Sequence, residues 1–351
     1  MDSKTQRMEW LDAMRGFTMI LVVAYHVAQF AFKQDEQLSA SLPFLVLFRM
    51  PLFFFVSGFL AYKANWIWTT ASFCSLTWKK IKIQVLPALI FLCVFLILKS
   101  KMPFWDGFLK CMHSPTKGGY WFTWVLLQMF IIYYLIAVLS QKLKSNIPVW
   151  LLWIICLFGY LSINMQATLG RWYKTDFMMY SSFYETIKFM HFFMIGNLVH
   201  RYWTDVLSLF RSKYFFPVVT LLAFLSCADI FKWHFFRSEW TNLPKTFAMY
   251  SLMLMVVMFF MYYQDNFRKE TVVGRSLQYI GVRTLDIYLL HFILLPKLPM
   301  VGVWLNEYRP NFLVDIVLAL SVAFMVIAGC LLVSNVLRVS PLFKEYLFGR
   351  K

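Results

Sequence analysis

Apolar residues fall in long runs separated by short basic or aromatic-polar stretches. Ten runs stand out, at residues 12–32, 44–62, 81–98, 120–140, 148–166, 187–203, 214–232, 246–263, 277–297 and 311–334. About 20 apolar helical residues cross the hydrocarbon core of a bilayer. The pattern predicts an all-α, polytopic transmembrane helix bundle of about ten spans. The first run lacks a small-residue cleavage site and is not read as a signal peptide. Between the runs, a short aromatic piece (Phe104, Trp105, Phe108) suits the membrane interface. The polar and aromatic loop 166–186, with Arg171, Trp172, Tyr173, Lys174 and Asp176, is long enough to cover an outer opening. No internal repeat or low-complexity segment is visible.

Composition sharpens this picture. Hydrophobic residues make up 60% of the chain and charged residues 15%, with a mean hydropathy of +0.62. Soluble domains hold roughly 45–50% apolar and about 25% charged residues, so soluble enzyme classes are excluded. Ten spans use roughly 200 residues. The remainder of the 351 suffices for loops and tails, so the expectation is one integral membrane domain over 1–351. Any chemistry then belongs to the helices and short loops. The net charge of +17, from 34 Lys and Arg against 17 Asp and Glu, would suggest nucleic acid in a soluble protein. In a membrane protein it reads as cytoplasmic bias and attraction to anionic lipid. With the N-terminus cytoplasmic, 18 loop Lys and Arg lie inside and 13 outside. Both termini are therefore expected to be cytoplasmic, in agreement with an even number of spans. The six cysteines show no CxxC or metal-ligand spacing and read as small buried hydrophobes, with no metal site implied.

Against so apolar a background, ionisable residues inside the runs carry the information, because a charge at mid-bilayer costs at least about 2.5–3.5 kcal/mol. Asp12 and Arg15 are three apart and share a helical face. Arg15 and His26, with ten residues between them, share it too, roughly 16 Å apart along the axis. Taken alone, Arg15 is also consistent with a snorkelling base and His26 with a satisfied buried imidazole. His291 stands about as deep in its run as His26 does in the first, roughly 21 Å by helical rise. The match suggests one polar cavity, with Tyr288 one turn below on the same face. Arg49, in a run entering from outside, approaches the same depth. Ser57 is a candidate contact within the bundle, but no triad order or GxSxG elbow makes it a nucleophile. Lys79, Lys80 and Lys82, with Lys63 upstream, are either ordinary cytoplasmic charge or a clamp for the phosphates of a cytosolic ligand. Glu185 and His191 are candidates for contact with a polar acceptor, or plain interfacial residues. His113, His200 and His234 read as solvated. Trp121, Trp124, Tyr133, Tyr134 and Trp172 belong to an aromatic belt or line a sugar path.

The stripe Leu11-Asp12-Ala13-Met14-Arg15-Gly16, followed by His26, resembles the first-helix signature of the acyltransferase-3 family. In that family an arginine and a histidine are separated by ten residues. FRMPLFFFVSGFL (48–60) is similar to its second-helix motif, TWKKIKIQVLP (77–87) to its basic third-helix entry, YWFTWVLLQMF (120–130) to its Trp-Phe motif, and YIGVRTLDIYLLH (279–291) to its late Ile-Tyr-Leu-x-His motif. The chain departs from members that carry acidic residues after the Trp-Phe motif, since Val125 to Phe130 hold none.

The resemblance implies a bacterial inner-membrane O-acyltransferase of surface glycans, with acetyl-CoA as donor and a sugar hydroxyl as acceptor. His26 would be the general base, or else a transient acyl carrier. Arg15, held by Asp12, would steady the donor. Arg49 or His291 would meet the oxyanion, with Tyr288 and Ser57 near the acceptor. Lys79, Lys80, Lys82 and Arg15 would bind the coenzyme phosphates. Two other classes remain: a glycan-lipid transporter or flippase without acyl transfer, which usually shows inverted repeats, and a structural or sensor subunit, in which Arg15 and His26 would tolerate change.

Overall fold

The computed structural model describes residues 8–35, 38–39, 41–165, 175–228, 242–308 and 312–348. His234 and residues 166–174 of the loop 166–186, Trp172 among them, together with both chain termini, lie outside the described residues. Among those described, the chain is all helix and turn, with no strand. Helix α1 (Glu9–His26) ends in a π-helical turn, Val27–Ala31. Then come α2 (Leu42–Ala61), α3 (Thr70–Lys80), a second π turn (Ile81–Val85) and α4 (Leu86–Lys99). Short α5 (Phe104–Met112) precedes α6 (Trp121–Lys142), α7 (Ile147–Met165), α8 (Asp176–Ser181) and α9 (Phe183–Arg201). The rest comprises α10 (Trp203–Phe210), α11 (Phe215–Ala228), α12 (Asn242–Tyr262), α13 (Val272–Val282), α14 (Thr284–Leu294), α15 (Pro299–Glu307), α16 (Phe312–Leu337) and α17 (Pro341–Phe348).

Among the described residues, six helical stretches are long and apolar enough to cross a membrane, and eight if two bent pairs each make one span. The third expected run begins earlier than its apolar pattern does, because Thr69 and Ser72 form a capping box that starts the helix at Thr70. The ninth expected run, 277–297, is not one straight rod. It breaks at Arg283, whose backbone leaves the helical region, and α14 and α15 then diverge by 85°.

The helices group into two compact units. The first holds Met1–Phe53, Ser208–Trp233 and Lys245–Leu332, and the second holds Phe54–Leu207, His234–Pro244 and Val333–Lys351. In the first unit, α1 crosses α13 where Gly16 meets Gly281. A Cβ added to Gly16 would lie 2.0 Å from the Leu277 carbonyl oxygen, and one added to Gly281 would lie 1.9 Å from that of Asp12. Only glycine lets two backbones pass so closely. The other end of α1 is tied to α15. The Leu298 amide donates to the Ala31 carbonyl at 2.9 Å, and Gln34 Nε2 donates to the Gly302 carbonyl and to Asn306 Oδ1, both at 3.0 Å. Fastened at both ends, α1 has a set register against the 272–307 segment.

The second unit uses the same device. Gly58 of α2 lies against the Phe193 carbonyl, and Gly196 of α9 against that of Phe55. Around this crossing Phe54, Trp121, Phe122, Phe189 and Phe193 form an aromatic core.

Candidate active site

Register on α1 decides what His26 meets. With the two ends of α1 pinned, His26 Nδ1 falls 2.9 Å from His291 Nε2, and the rings stack at 5.0 Å with 14° between planes. His291 is fully buried and His26 is 9% exposed. The other ring nitrogen of His291, Nδ1, lies 2.8 Å from the Tyr288 carbonyl and 3.1 Å from that of Ile287. A carbonyl can only accept, so in the neutral ring the His291 proton sits on Nδ1 and its Nε2 is an acceptor. His26 must then donate from Nδ1, which leaves His26 Nε2 as the basic atom of the pair. That atom makes no hydrogen bond among the described residues. Phe292, centred 4.9 Å from the His26 ring and 4.0 Å from that of His291, and Phe30, 5.8 Å from His26, wall the pair with apolar surface. The π turn directly after His26 resets the helical phase that carries Phe30. Such turns recur at functional sites.

The cations take distinct positions. Arg15 Nη1 donates to Asp12 Oδ1 at 3.3 Å, and Arg15 Nη2 to Thr284 Oγ1 at 3.1 Å. Arg15 therefore bridges α1 and the start of α14, just past the glycine crossing. Arg49 is buried, its guanidinium 3.4 Å from the centre of the Tyr25 ring, one residue before His26. The first unit thus brings together Asp12, Arg15, His26, Arg49, Tyr288 and His291. Tyr288 acts on the pair through its backbone carbonyl. Both ring nitrogens of His291 are engaged, Nε2 with His26 and Nδ1 with backbone carbonyls.

Ser57 and the lysines belong to the second unit. Ser57 is half-buried on α2. Lys80 lies 3.7 Å over the Phe130 ring and Lys82 5.3 Å over that of Trp78, while Lys79 is exposed. The three lysines therefore do not converge as one clamp.

Several other expectations change. Glu185 pairs with Lys188 at 3.8 Å, whereas His191 is fully buried against Tyr160 and Phe192. His113 is not simply solvated, because its Nε2 donates to Asp176 Oδ1 at 2.9 Å. His200 stacks on Phe59 at 4.2 Å and donates to its carbonyl. Tyr133 and Tyr134 are buried in the aromatic core and line no path. Sequence reading missed Thr284, Phe292 and Asp315. The last is buried, and its Oδ2 accepts from Ser39 Oγ and the Ser41 amide, anchoring the segment that enters α2.

Comparison with known proteins adds the chemical class. The model of an acyltransferase domain family, acyltransferase-3, matches residues 8–335. The nodulation protein NolL of Sinorhizobium fredii is 29% identical over 168 residues, which cover 45% of this chain and 42% of that protein. The chain thus matches only about two-fifths of that relative's length. No solved structure matches.

Proposed function

This chain belongs to the acyltransferase-3 family and is a membrane acyltransferase; from that premise we propose that it O-acetylates a sugar hydroxyl of a cell-surface glycan or its lipid-linked precursor, using acetyl-CoA, in the bacterial inner membrane. The observation that carries the reading is the His26–His291 pair, whose hydrogen bonds leave one basic nitrogen, His26 Nε2, outside the pair's own bond.

The acceptor hydroxyl gives its proton to His26 Nε2 as its oxygen attacks the thioester carbonyl carbon. The negative charge passes to the carbonyl oxygen, which the Arg49 guanidinium stabilises. The carbon–sulfur bond then breaks, and the CoA thiolate takes the proton back from the His26 imidazolium. His291 Nε2 accepts from His26 Nδ1 throughout and steadies the imidazolium while it is charged, so His291 is a positioning residue. Arg15, held by Asp12 and Thr284, orders the donor as a cation in a preset geometry. Of the three lysines on α3 and the turn after it, exposed Lys79 is the one suited to a coenzyme phosphate, since Lys80 and Lys82 lie over aromatic rings.

The test is mass spectrometry of surface glycans from cells expressing the parent chain or His26→Ala. A glycan that loses acetyl groups in the variant, at equal protein level, supports the reading. An unchanged acetylation pattern sinks it.

A further inference from the structure

The second unit carries a cleft that none of the sequence motifs anticipates. It is about 390 Å³ in volume and opens where α2, α6 and α9 end. Such a volume lies in the ordinary range for a small-molecule site. Three cations line it: Lys63 after α2, Lys144 after α6, and Arg201 at the end of α9. Among the described residues, no carboxylate lines it.

Two of the cations rest on aromatic faces. Lys63 Nζ is 4.0 Å from the Trp66 ring centre, and the Arg201 guanidinium is 4.8 Å from that of Tyr62. Arg201 Nη1 donates to Asn146 Oδ1 at 2.6 Å. Desolvation, with the positive charge of Lys79 added, pulls the Lys63 ammonium below the ordinary lysine value. The helix C-termini offset part of this positive charge, but they leave like charges facing one another across a cavity. Trp66 is 41% exposed, and Trp68 and Tyr62 add further ring surface. The complement of such a cleft is a ligand with several phosphate charges and a planar ring. Phosphates would take the lysines and the arginine, and the ring would take the indole face that Lys63 now covers.

We propose that this cleft binds a polyphosphorylated purine nucleotide, specifically the adenosine 3′-phosphate 5′-diphosphate end of the acyl-CoA donor. The inference rests on the reading that acyl-CoA is the donor. That group carries about four negative charges, which Lys63, Lys79, Lys144 and Arg201 would balance. It assigns nucleotide recognition to Lys63, Lys144 and Trp66 rather than to Lys80 and Lys82, whose ammonium groups lie over Phe130 and Trp78.

The experiment is equilibrium binding to the full chain in nanodiscs of zwitterionic phosphatidylcholine. The probes are CoA, adenosine 3′,5′-bisphosphate and inorganic pyrophosphate. The variants are Lys63→Ala with Lys144→Ala, and Trp66→Ala, each checked for an unchanged melting temperature. The double variant is expected to weaken CoA and the bisphosphate at least 30-fold. Trp66→Ala is expected to weaken both nucleotides five- to tenfold while leaving pyrophosphate within twofold. CoA binding within twofold of the parent in the double variant overturns the proposal. A lipid source is tested by exchanging in phosphatidylglycerol. If that lipid binds and the nucleotides fail to displace it, the cleft is a lipid headgroup site and the proposal falls. His26→Ala separates the two readings, since it should bind CoA normally but not transfer acetyl. CoA binding and transfer that ignore the cleft variants overturn only the cleft assignment. A parent chain that neither binds CoA nor transfers acetyl overturns the donor reading as well.

Discussion

The two units solve one packing problem and put the result to different use. Each is built around a crossing at which two glycines let backbones touch, Gly16 with Gly281 in the first and Gly58 with Gly196 in the second. Beside the first crossing lie Asp12, Arg15 and, further along α1, the buried His26–His291 pair. Beside the second lie phenylalanine and tryptophan rings, with the cations at the helix ends. The first unit buries polar side chains and gives Asp12, Arg15 and the histidine pair hydrogen-bond partners inside it, where an orphaned partner costs about 1–3 kcal/mol. The second leaves its charges at the rim, against aromatic faces. Close backbone contact is thus a fastening common to both units, and what differs is the side chains that stand next to it.

The largest effect should come from breaking a crossing. Gly281→Val places side-chain carbon where the Asp12 carbonyl sits, and overpacking against backbone costs at least about 3 kcal/mol. Gly196→Val should do the same against Phe55. Both variants are expected to lose most folded protein in fluorescence size-exclusion chromatography. If either survives at parental yield, close backbone contact is not what holds that unit together.

Next come the histidines. His26→Ala should lower the acyl-transfer rate by about 10²–10⁴-fold, the usual worth of a positioned base. His291→Phe removes the acceptor for His26 Nδ1 and should cost on the order of 100-fold in kcat with KM little changed, within the same range. His291→Gln, whose amide oxygen can accept, should recover part of that loss and restore the parental shape of the pH–rate profile. Equal activity in the Phe and Gln variants would remove His291 from the positioning role.

A smaller effect concerns Lys117, which donates to the carbonyls of Met112, Ser114 and Met179 at 2.7, 2.8 and 2.7 Å. Burial pulls its pKa from 10.5 down to about 8. Below pH 8 both folded and unfolded chains hold the proton, and folding bears the cost of burying a charge. Between about 8 and 10.5 the folded chain gives up the proton while the unfolded chain keeps it, so stability rises with pH across that window. Melting curves at pH 7.5 and 10 should show this rise in the parent chain and lose it in Lys117→Met. The smallest effect should be Thr284→Val, which deletes the Thr284 bond to Arg15. It is expected to raise the KM for the donor by about fivefold, near 1 kcal/mol. An unchanged KM would show that Thr284 does not help to hold Arg15.

Much of the first unit's site can be read along the chain, because depth in a membrane helix is a count of residues. That count placed His26 and His291 at one level, and they touch. Arg15 and Asp12 follow from their spacing on one face. Thr284 does not, because its meeting with Arg15 depends on a crossing 269 residues away in sequence. The break at Arg283 and the π turn at Val27 leave no hydropathy signal, so a straight run was expected where the chain bends. The cleft is the least legible element. Lys63 and Lys144 follow two helices and Arg201 ends a third, and although Lys63 reads as cytoplasmic charge or part of a phosphate clamp, nothing local says that the three helices end together. The aromatic residues misled for the opposite reason, since a belt, a core and a sugar path share one composition.

The hydrogen bonds of the histidine pair also set a direction. The His291 Nδ1 proton points at two backbone carbonyls, which cannot carry it onward. A proton taken up at His26 Nε2 therefore has one exit, the side it entered by. The pair is a dead-end siding rather than a wire, so a turnover that borrows a proton there returns it without moving charge through the bilayer. Acyl transfer by this chain should then run at the same rate whether or not the membrane is energised.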